Sequence, residues 1–144
     1  MAFRGHYEHS LDAKNRLSVP ARFRSAFASG LVLAREQDNC LSVWTAEAHD
    51  ARFELALAGK NPLSNEYRAV QRYFQANSFD VELDASGRVT LPPPLLAHAG
   101  IEKETVVAGV GDHLEIWSRK GWDAEQDALA ASIGEVTQAL GDPA

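Results

Sequence analysis

Apolar residues in the two outer thirds of this chain come in short runs broken by polar, glycine or proline positions, whereas the middle and the far end space them three and four apart. The first pattern predicts short strands joined by turns, and the second predicts helices. Leu11 and Leu17 flank the polar stretch Asp12-Ala13-Lys14-Asn15-Arg16, and Leu83 and Val89 flank Asp84-Ala85-Ser86-Gly87-Arg88, so each reads as strand, turn, strand. Pro20 then stops a strand and opens a short helix from Ala21 to about Phe27, and a second short helix runs from Pro93 to about Ala99 before Gly100. Strands follow at Leu31-Val32-Leu33 and Leu41-Ser42-Val43-Trp44, and again at Thr105 to Ala108 and Leu114 to Trp117. Between these blocks, helices are predicted over about Glu47 to Ala58 and Asn65 to Gln75, and a last one runs from about Gly121 to Leu140 with Leu129, Ile133, Val136 and Leu140 in one stripe.

The two outer blocks are copies of one another. Leu11-Asp12-Ala13-Lys14-Asn15-Arg16-Leu17-Ser18-Val19-Pro20 returns as Leu83-Asp84-Ala85-Ser86-Gly87-Arg88-Val89-Thr90-Leu91-Pro92, an offset of 72 residues (84 − 12). Tyr7 pairs with Phe79 at the same offset, while the run ending in Trp44 matches that ending in Trp117 at 73 (117 − 44). Two copies of a half-unit predict packing about an internal pseudo-twofold axis. Asn15 and Gly87 hold equivalent turn positions and both tolerate a left-handed backbone, and the aspartates can accept hydrogen bonds from turn amides.

Length and an apolar content of 45% suffice for a core without staples, and the single Cys40 cannot form an internal disulfide. With no apolar run long enough to span a membrane and no secretion-signal pattern, a reducing cytoplasm is the expected compartment. The net charge of −6 argues against a general nucleic-acid binder, but its distribution changes that picture. Residues 1–24 carry Arg4, Lys14, Arg16, Arg22 and Arg24 against Glu8 and Asp12, a local +3 (5 − 2), while Asp123, Glu125, Asp127, Glu135 and Asp142 stand in the last segment without a Lys or Arg. Shifting Arg4, Lys14, Arg22 and Arg24 by 72 gives Ala76, Ser86, Pro94 and Leu96, so the second copy lacks those cations. A repeated scaffold does not require them, and a phosphate backbone would explain them.

Phe3-Arg4-Gly5, the two Asp-x-x-x-Arg turns, Asp38-Asn39-Cys40-Leu41, Asn61-Pro62 with Arg68 and Arg72, and Gly109-Val110-Gly111-Asp112 with Glu115-Ile116-Trp117 stand in order along the chain. On these motifs, from about Phe3 to Trp122, the chain resembles the MraZ family of bacterial transcriptional regulators. The resemblance implies an α+β fold: two pseudo-symmetric AbrB-like swapped-hairpin β half-domains forming an intramolecular double-psi-like barrel, with linking helices and a C-terminal helix. Residues 3–50 and 76–120 would be SpoVT-AbrB-like domains, 51–75 a helical linker, and 121–144 a helix and tail. It also implies a ring-shaped homo-oligomer that binds direct repeats in the promoter of the division and cell-wall gene cluster, mainly as a repressor at the nucleoid. The family's DNA contact falls on the first turn, at Asp12, Lys14 and Arg16, with Asn15 where the family usually has Gly. Arg4, Arg22 and Arg24 join this candidate DNA-binding set through the charge surplus, and Asp84, Gly87 and Arg88 form a structural turn motif.

Other chemistry is weaker. His6 and His9, three apart in a strand, point to opposite faces and complete no metal site, so no metal, cofactor or small-molecule ligand is expected. Cys40 reads as a buried, inert thiol, and Gly109-Val110-Gly111-Asp112 reads as a hairpin turn, since it lacks the Gly-Lys-Ser/Thr of a phosphate loop. Arg68 and Arg72 are expected in a structural role with Glu66 or a neighbouring subunit's carboxylates, and Trp44, Trp117 and Trp122 as core or interface anchors. No acid, base and nucleophile come together, so an enzyme is disfavoured. The competing reading is an AbrB-fold protein-interaction or antitoxin-like module.

Overall fold

The computed structural model describes residues 2–141, so Asp142 and the end of the expected tail lie outside the described residues. Eight strands form, β1 (His6–Ser10), β2 (Arg16–Ser18), β3 (Leu31–Arg35), β4 (Leu41–Trp44), β5 (Ser78–Val81), β6 (Arg88–Thr90), β7 (Glu104–Gly109) and β8 (Leu114–Ser118). Six make an antiparallel sheet in the order β1-β7-β8-β4-β3-β5, and β2 pairs with β6 as a separate two-stranded ribbon. Exchanging the repeats (β1 with β5, β3 with β7, β4 with β8) turns this order into its own reverse. The expected pseudo-twofold is therefore present, with its axis running between β4 and β8 and through the ribbon.

The strands flanking each turn do not pair with each other. β1 pairs with β7 of the second repeat, β5 with β3 of the first, and β2 with β6, so each repeat is completed by strands of the other. Register also corrects the offset between the copies. Tyr7 faces Val107 as Phe79 faces Leu33, a shift of 74 for these strands (107 − 33), whereas β4 and β8 keep 73. The second copy therefore has two more residues than the first in the loop before β7 and one fewer in the loop before β8.

The six-stranded sheet is open, with β1 and β5 as edges, which corrects the expectation of a closed barrel. β2 and β6 are each three residues long and stop before Pro20 and Pro92, too short to bridge the edges, so the ribbon lies over the sheet as a second layer. The core fills the space between. Leu17 and Val89, directly opposed in the ribbon, are buried against Leu33, Leu41, Leu114 and Ile116 of the sheet. Each such side chain contributes about 1.5–3 kcal/mol by leaving water.

Short helices seal the ends of this core. Ala21–Phe27 is a 3-10 helix that buries Phe23 and Phe27, four residues apart, under Phe3, which stacks on Phe27 at 5.5 Å. Its counterpart α3 (Pro93–Ala99) begins on prolines, where missing N–H groups cost nothing, and ends at Gly100 in the left-handed region (φ 63°). The outer face of the sheet is covered by helices that start in matching ways. The Thr45 hydroxyl caps α1 (Ala46–Leu57) by accepting from the Ala48 N–H, and the Ser118 hydroxyl caps α4 (Arg119–Leu140) by accepting from the Gly121 N–H. α1 is further backed by α2 (Asn65–Val70) and a π-helical turn over Gln71–Gln75, whose Phe74 meets Phe53. No second helix backs α4 among the described residues, and the outer part of its stripe, Ile133, Val136 and Leu140, is exposed.

Candidate nucleic-acid interface

The two Asp-x-x-x-Arg segments fold into the same tight turn. Asp12 Oδ1 accepts the backbone N–H groups of Lys14 and Arg16, both at 2.9 Å, while Oδ2 accepts Arg16 Nε at 2.6 Å. Asp84 repeats this with Ser86, Arg88 and Arg88 Nε. The backbone N–H of Arg16 does most to hold the Asp12 carboxyl below its ordinary range; desolvation opposes it, and the Arg16 guanidinium and Lys14 N–H help the lowering prevail. Asp84 is lowered in the same way, by Arg88 and Ser86. Asn15 (φ 58°) and Gly87 (φ 75°) both sit at left-handed backbone, so Asn15 meets the demand usually met by Gly.

These turns stand at opposite ends of the ribbon. Because side chains alternate along a strand and Leu17 and Val89 point inward, Arg16, Ser18, Arg88 and Thr90 share the outward face. The pairing continues beyond the strands, with Val19 N–H donating to the Gly87 carbonyl and Leu91 N–H to that of Asn15. An Arg88 terminal nitrogen reaches within 3.6 Å of Asp12 Oδ2, so the second turn is electrostatically tied to the first. Lys14 is exposed and makes no ion pair among the described residues.

Of the remaining cations, Arg24 reaches this face and Arg4 does not. Arg24 Nε donates to the Val19 carbonyl at 2.8 Å, and its side chain lies across Gly87. Arg22 turns towards β1, donating to the Tyr7 hydroxyl at 2.9 Å and lying over the Phe23 ring. Arg4 sits beside Gly109 just before β1, roughly 26 Å of extended chain from Asp12 of the first turn. The structure thus brings Asp12, Lys14, Asn15 and Arg16 together with Arg88, seats Arg24 at the second turn at the other end of the ribbon, places Arg22 to one side, and leaves Arg4 apart.

The family model described as the MraZ protein matches residues 2–72 and 74–140. The chain belongs to the MraZ family. A Thermomicrobium roseum protein named transcriptional regulator MraZ is 39% identical over 140 residues, covering 96% of each chain. Proteins of the same name from a Thermoanaerobacter species and from Alkaliphilus metalliredigens are 36% and 39% identical, again over 96% of each chain. Membership of the MraZ family makes this a protein of transcription regulation, a class that is not in general enzymatic.

Away from the ribbon, this MraZ chain holds a polar cluster that sequence reasoning missed. Glu36 is 6% exposed, accepts two hydrogen bonds from the Arg52 guanidinium at 2.7 and 3.0 Å, and accepts the Ser42 hydroxyl at 2.6 Å. Burial alone would raise its carboxyl, but Arg52 and Ser42 outweigh it and hold the group below the ordinary range. Arg52 lies over the Trp44 ring, and His113 of the other repeat stacks on Trp44 at 4.0 Å. No local pattern announces partners 16 residues apart.

The other candidates are placed plainly. Cys40 is buried, and desolvation pushes its thiol far up, as an inert thiol requires. Arg68 folds back on the Leu63 carbonyl and Asn65 rather than pairing with Glu66, because its own helix start offers nearer acceptors. Trp44 and Trp117 are buried, and Trp122 packs on Trp117. Gly109 to Asp112 forms the β7–β8 hairpin turn. No helix among the described residues is long and apolar enough to cross a membrane.

Proposed function

We propose that this chain is a sequence-specific DNA-binding regulator, mainly a repressor of the bacterial division and cell-wall gene cluster, that engages direct repeats as a ring-shaped homo-oligomer in the nucleoid. The observation that carries this reading is the outward ribbon face, with Arg16, Ser18, Arg88 and Thr90 in one plane and the basic first turn beside it. Two strands about 5 Å apart fit the roughly 12 Å major groove, where arginine can pair with guanine and serine or threonine with either partner. Lys14 and Arg24 flank the ribbon as phosphate contacts, which position the protein without reading sequence. Strand exchange between residues 3–50 and 76–120 is the one-chain counterpart of a swapped-hairpin dimer, and the ring would offset the net charge of −6 by presenting several such faces at once.

No group in the ribbon is arranged as a nucleophile with its base, so the reading assigns no catalysis. A second reading has one observation in its favour. The family description likens its members to antitoxins, and the exposed outer stripe of α4 is an available protein-binding surface.

Filter binding with duplex DNA from immediately upstream of its own gene, against unrelated duplex of equal length, decides between them. Preference for the upstream duplex by 10³-fold or so is expected. Equal, weak binding to both would reject a sequence-specific regulator and leave the protein-interaction reading.

A further inference from the structure

We infer that Gly87, in the turn of the second repeat, is a positioning residue for the DNA face: the gap where its Cβ would be is the seat that lays Arg24 of the first repeat alongside the ribbon. The inference rests on the DNA-binding reading and gives a functional part to a repeat that lacks the first one's cations.

A Cβ built at Gly87 would meet Arg24 Nε head-on and would stand 2.5 Å from its Cδ and 2.8 Å from its Cζ. Carbon atoms in contact need about 3.5 Å, so no other residue can share this space with Arg24 as it stands. Gly87 is accordingly buried, although it lies at the tip of an exposed turn between Ser86 and Arg88. From this seat Arg24 Nε donates to the Val19 carbonyl, and Val19 N–H donates to the Gly87 carbonyl, so arginine, strand end and turn form one closed set of contacts. With Nε engaged, the guanidinium is fixed along one edge and its terminal nitrogens have no hydrogen-bond partner among the described residues.

The matching place in the other repeat shows that turn geometry does not demand this arrangement. Asn15 occupies the equivalent position at a similar φ, so a side chain is compatible with the turn itself. The residue equivalent to Arg24 is Leu96, which packs against the core instead of crossing the first turn. A glycine paired with an arginine in one half, and an asparagine paired with a leucine in the other, separates the backbone requirement from the steric one. The glycine serves Arg24, and Arg24 adds a cation on the side of the ribbon where Arg88 stands. Pre-fixing one long side chain lowers the entropy lost when it meets a phosphate.

The test uses the full-length protein and the upstream duplex. Gly87→Asn keeps a residue suited to the left-handed backbone and fills the seat, and the obstructed group is a flexible side chain rather than backbone, so the fold remains. Gly87→Asn and Arg24→Ala are each expected to weaken binding roughly tenfold and to lower the salt slope by about one phosphate equivalent per engaged face. The double variant should be no weaker than Arg24→Ala alone, with thermal midpoints recorded to confirm folded protein. Wild-type affinity in Gly87→Asn, or losses that add in the double variant, would overturn the positioning role while leaving DNA binding intact. Absence of binding by the wild type would instead defeat the DNA reading and this role with it.

Discussion

Arg16 is held by a single side-chain bond, Nε to Asp12, so its terminal nitrogens are available on the outward ribbon face. A bidentate contact from such an arginine to a base is worth about 1–3 kcal/mol. Arg16→Ala should therefore reduce affinity for the upstream duplex by about 10- to 100-fold. Arg88→Ala should reduce it less, because Arg88 faces two carboxylates, with Nε bonded to Asp84 and a terminal nitrogen 3.6 Å from Asp12, and is less free than Arg16 to reach a base. Titration of both variants on folded protein checks this, and equal losses would remove the priority given to the first turn. At His113 the question is pH. Burial would lower its pKa, but hydrogen bonds to Glu115 and Asp112 win and raise it above 6.5. A raised folded pKa means that the charged ring adds stability fully below the unfolded value and loses it as pH rises through the folded one. His49 has the opposite sign, because burial lowers its pKa and its effect falls below 6.5. Urea unfolding between about pH 6 and 9 should show a decline that His113→Gln removes; an unchanged decline would discount the His113 pairing.

At the scale of elements, the closest approach is between the N-terminal segment and β7. Phe3 exchanges backbone hydrogen bonds with Gly111, and Gly109 N–H donates to the Gly5 carbonyl. A Cβ at Gly109 would stand 2.5 Å from the Phe3 carbonyl carbon and 2.9 Å from Arg4 Cα, backbone atoms that cannot step aside singly. Gly109→Ala must push the segment off the sheet and withdraw Phe3 from its stack with Phe27. A loss of about 2–4 kcal/mol is expected in denaturant unfolding. Gly134→Ala is the control, since nothing lies within 4 Å of its added methyl on α4 and helix propensity should then add about 0.5–1 kcal/mol. An unchanged midpoint for Gly109→Ala would mean that the N-terminal segment is not held as described.

For the whole molecule, charge sets the problem. On the proposed reading, a chain of net charge −6 with a handful of cations on one ribbon would bind DNA weakly alone, and strength would come from several faces acting together. Affinity should rise steeply from one- to two- to three-site duplexes when sites share an orientation, and inserting half a helical turn between two sites should remove much of the gain. The salt slope should steepen with site number, because each engaged face releases its own counterions. Titrating the three duplexes at several salt concentrations measures both. Identical affinity and slope for all three would end the proposal that a ring of subunits supplies avidity.

The repeat at an offset of 72 was enough to predict the pseudo-twofold, the paired turns and nearly every element, because hydrophobic spacing and turn residues act over a few neighbouring positions. Left-handed backbone at Asn15 and Gly87 was legible for the same reason, whereas α4 begins at Arg119 under the Ser118 cap rather than at the expected Gly121. Which strand pairs with which was not. A two-residue drift of offset in β3 and β7 leaves no mark on local pattern, and the choice of β7 rather than β2 as the partner of β1 depends on burying Leu17 and Val89 under one roof. Arg24 across Gly87, Arg88 beside Asp12 and Glu36 with Arg52 are likewise contacts between segments brought together only by folding. Local chemistry decided the pieces from the chain alone; the shared core decided their partners, because steric fit and charge pairing at long sequence separation exist only after the sheet has formed.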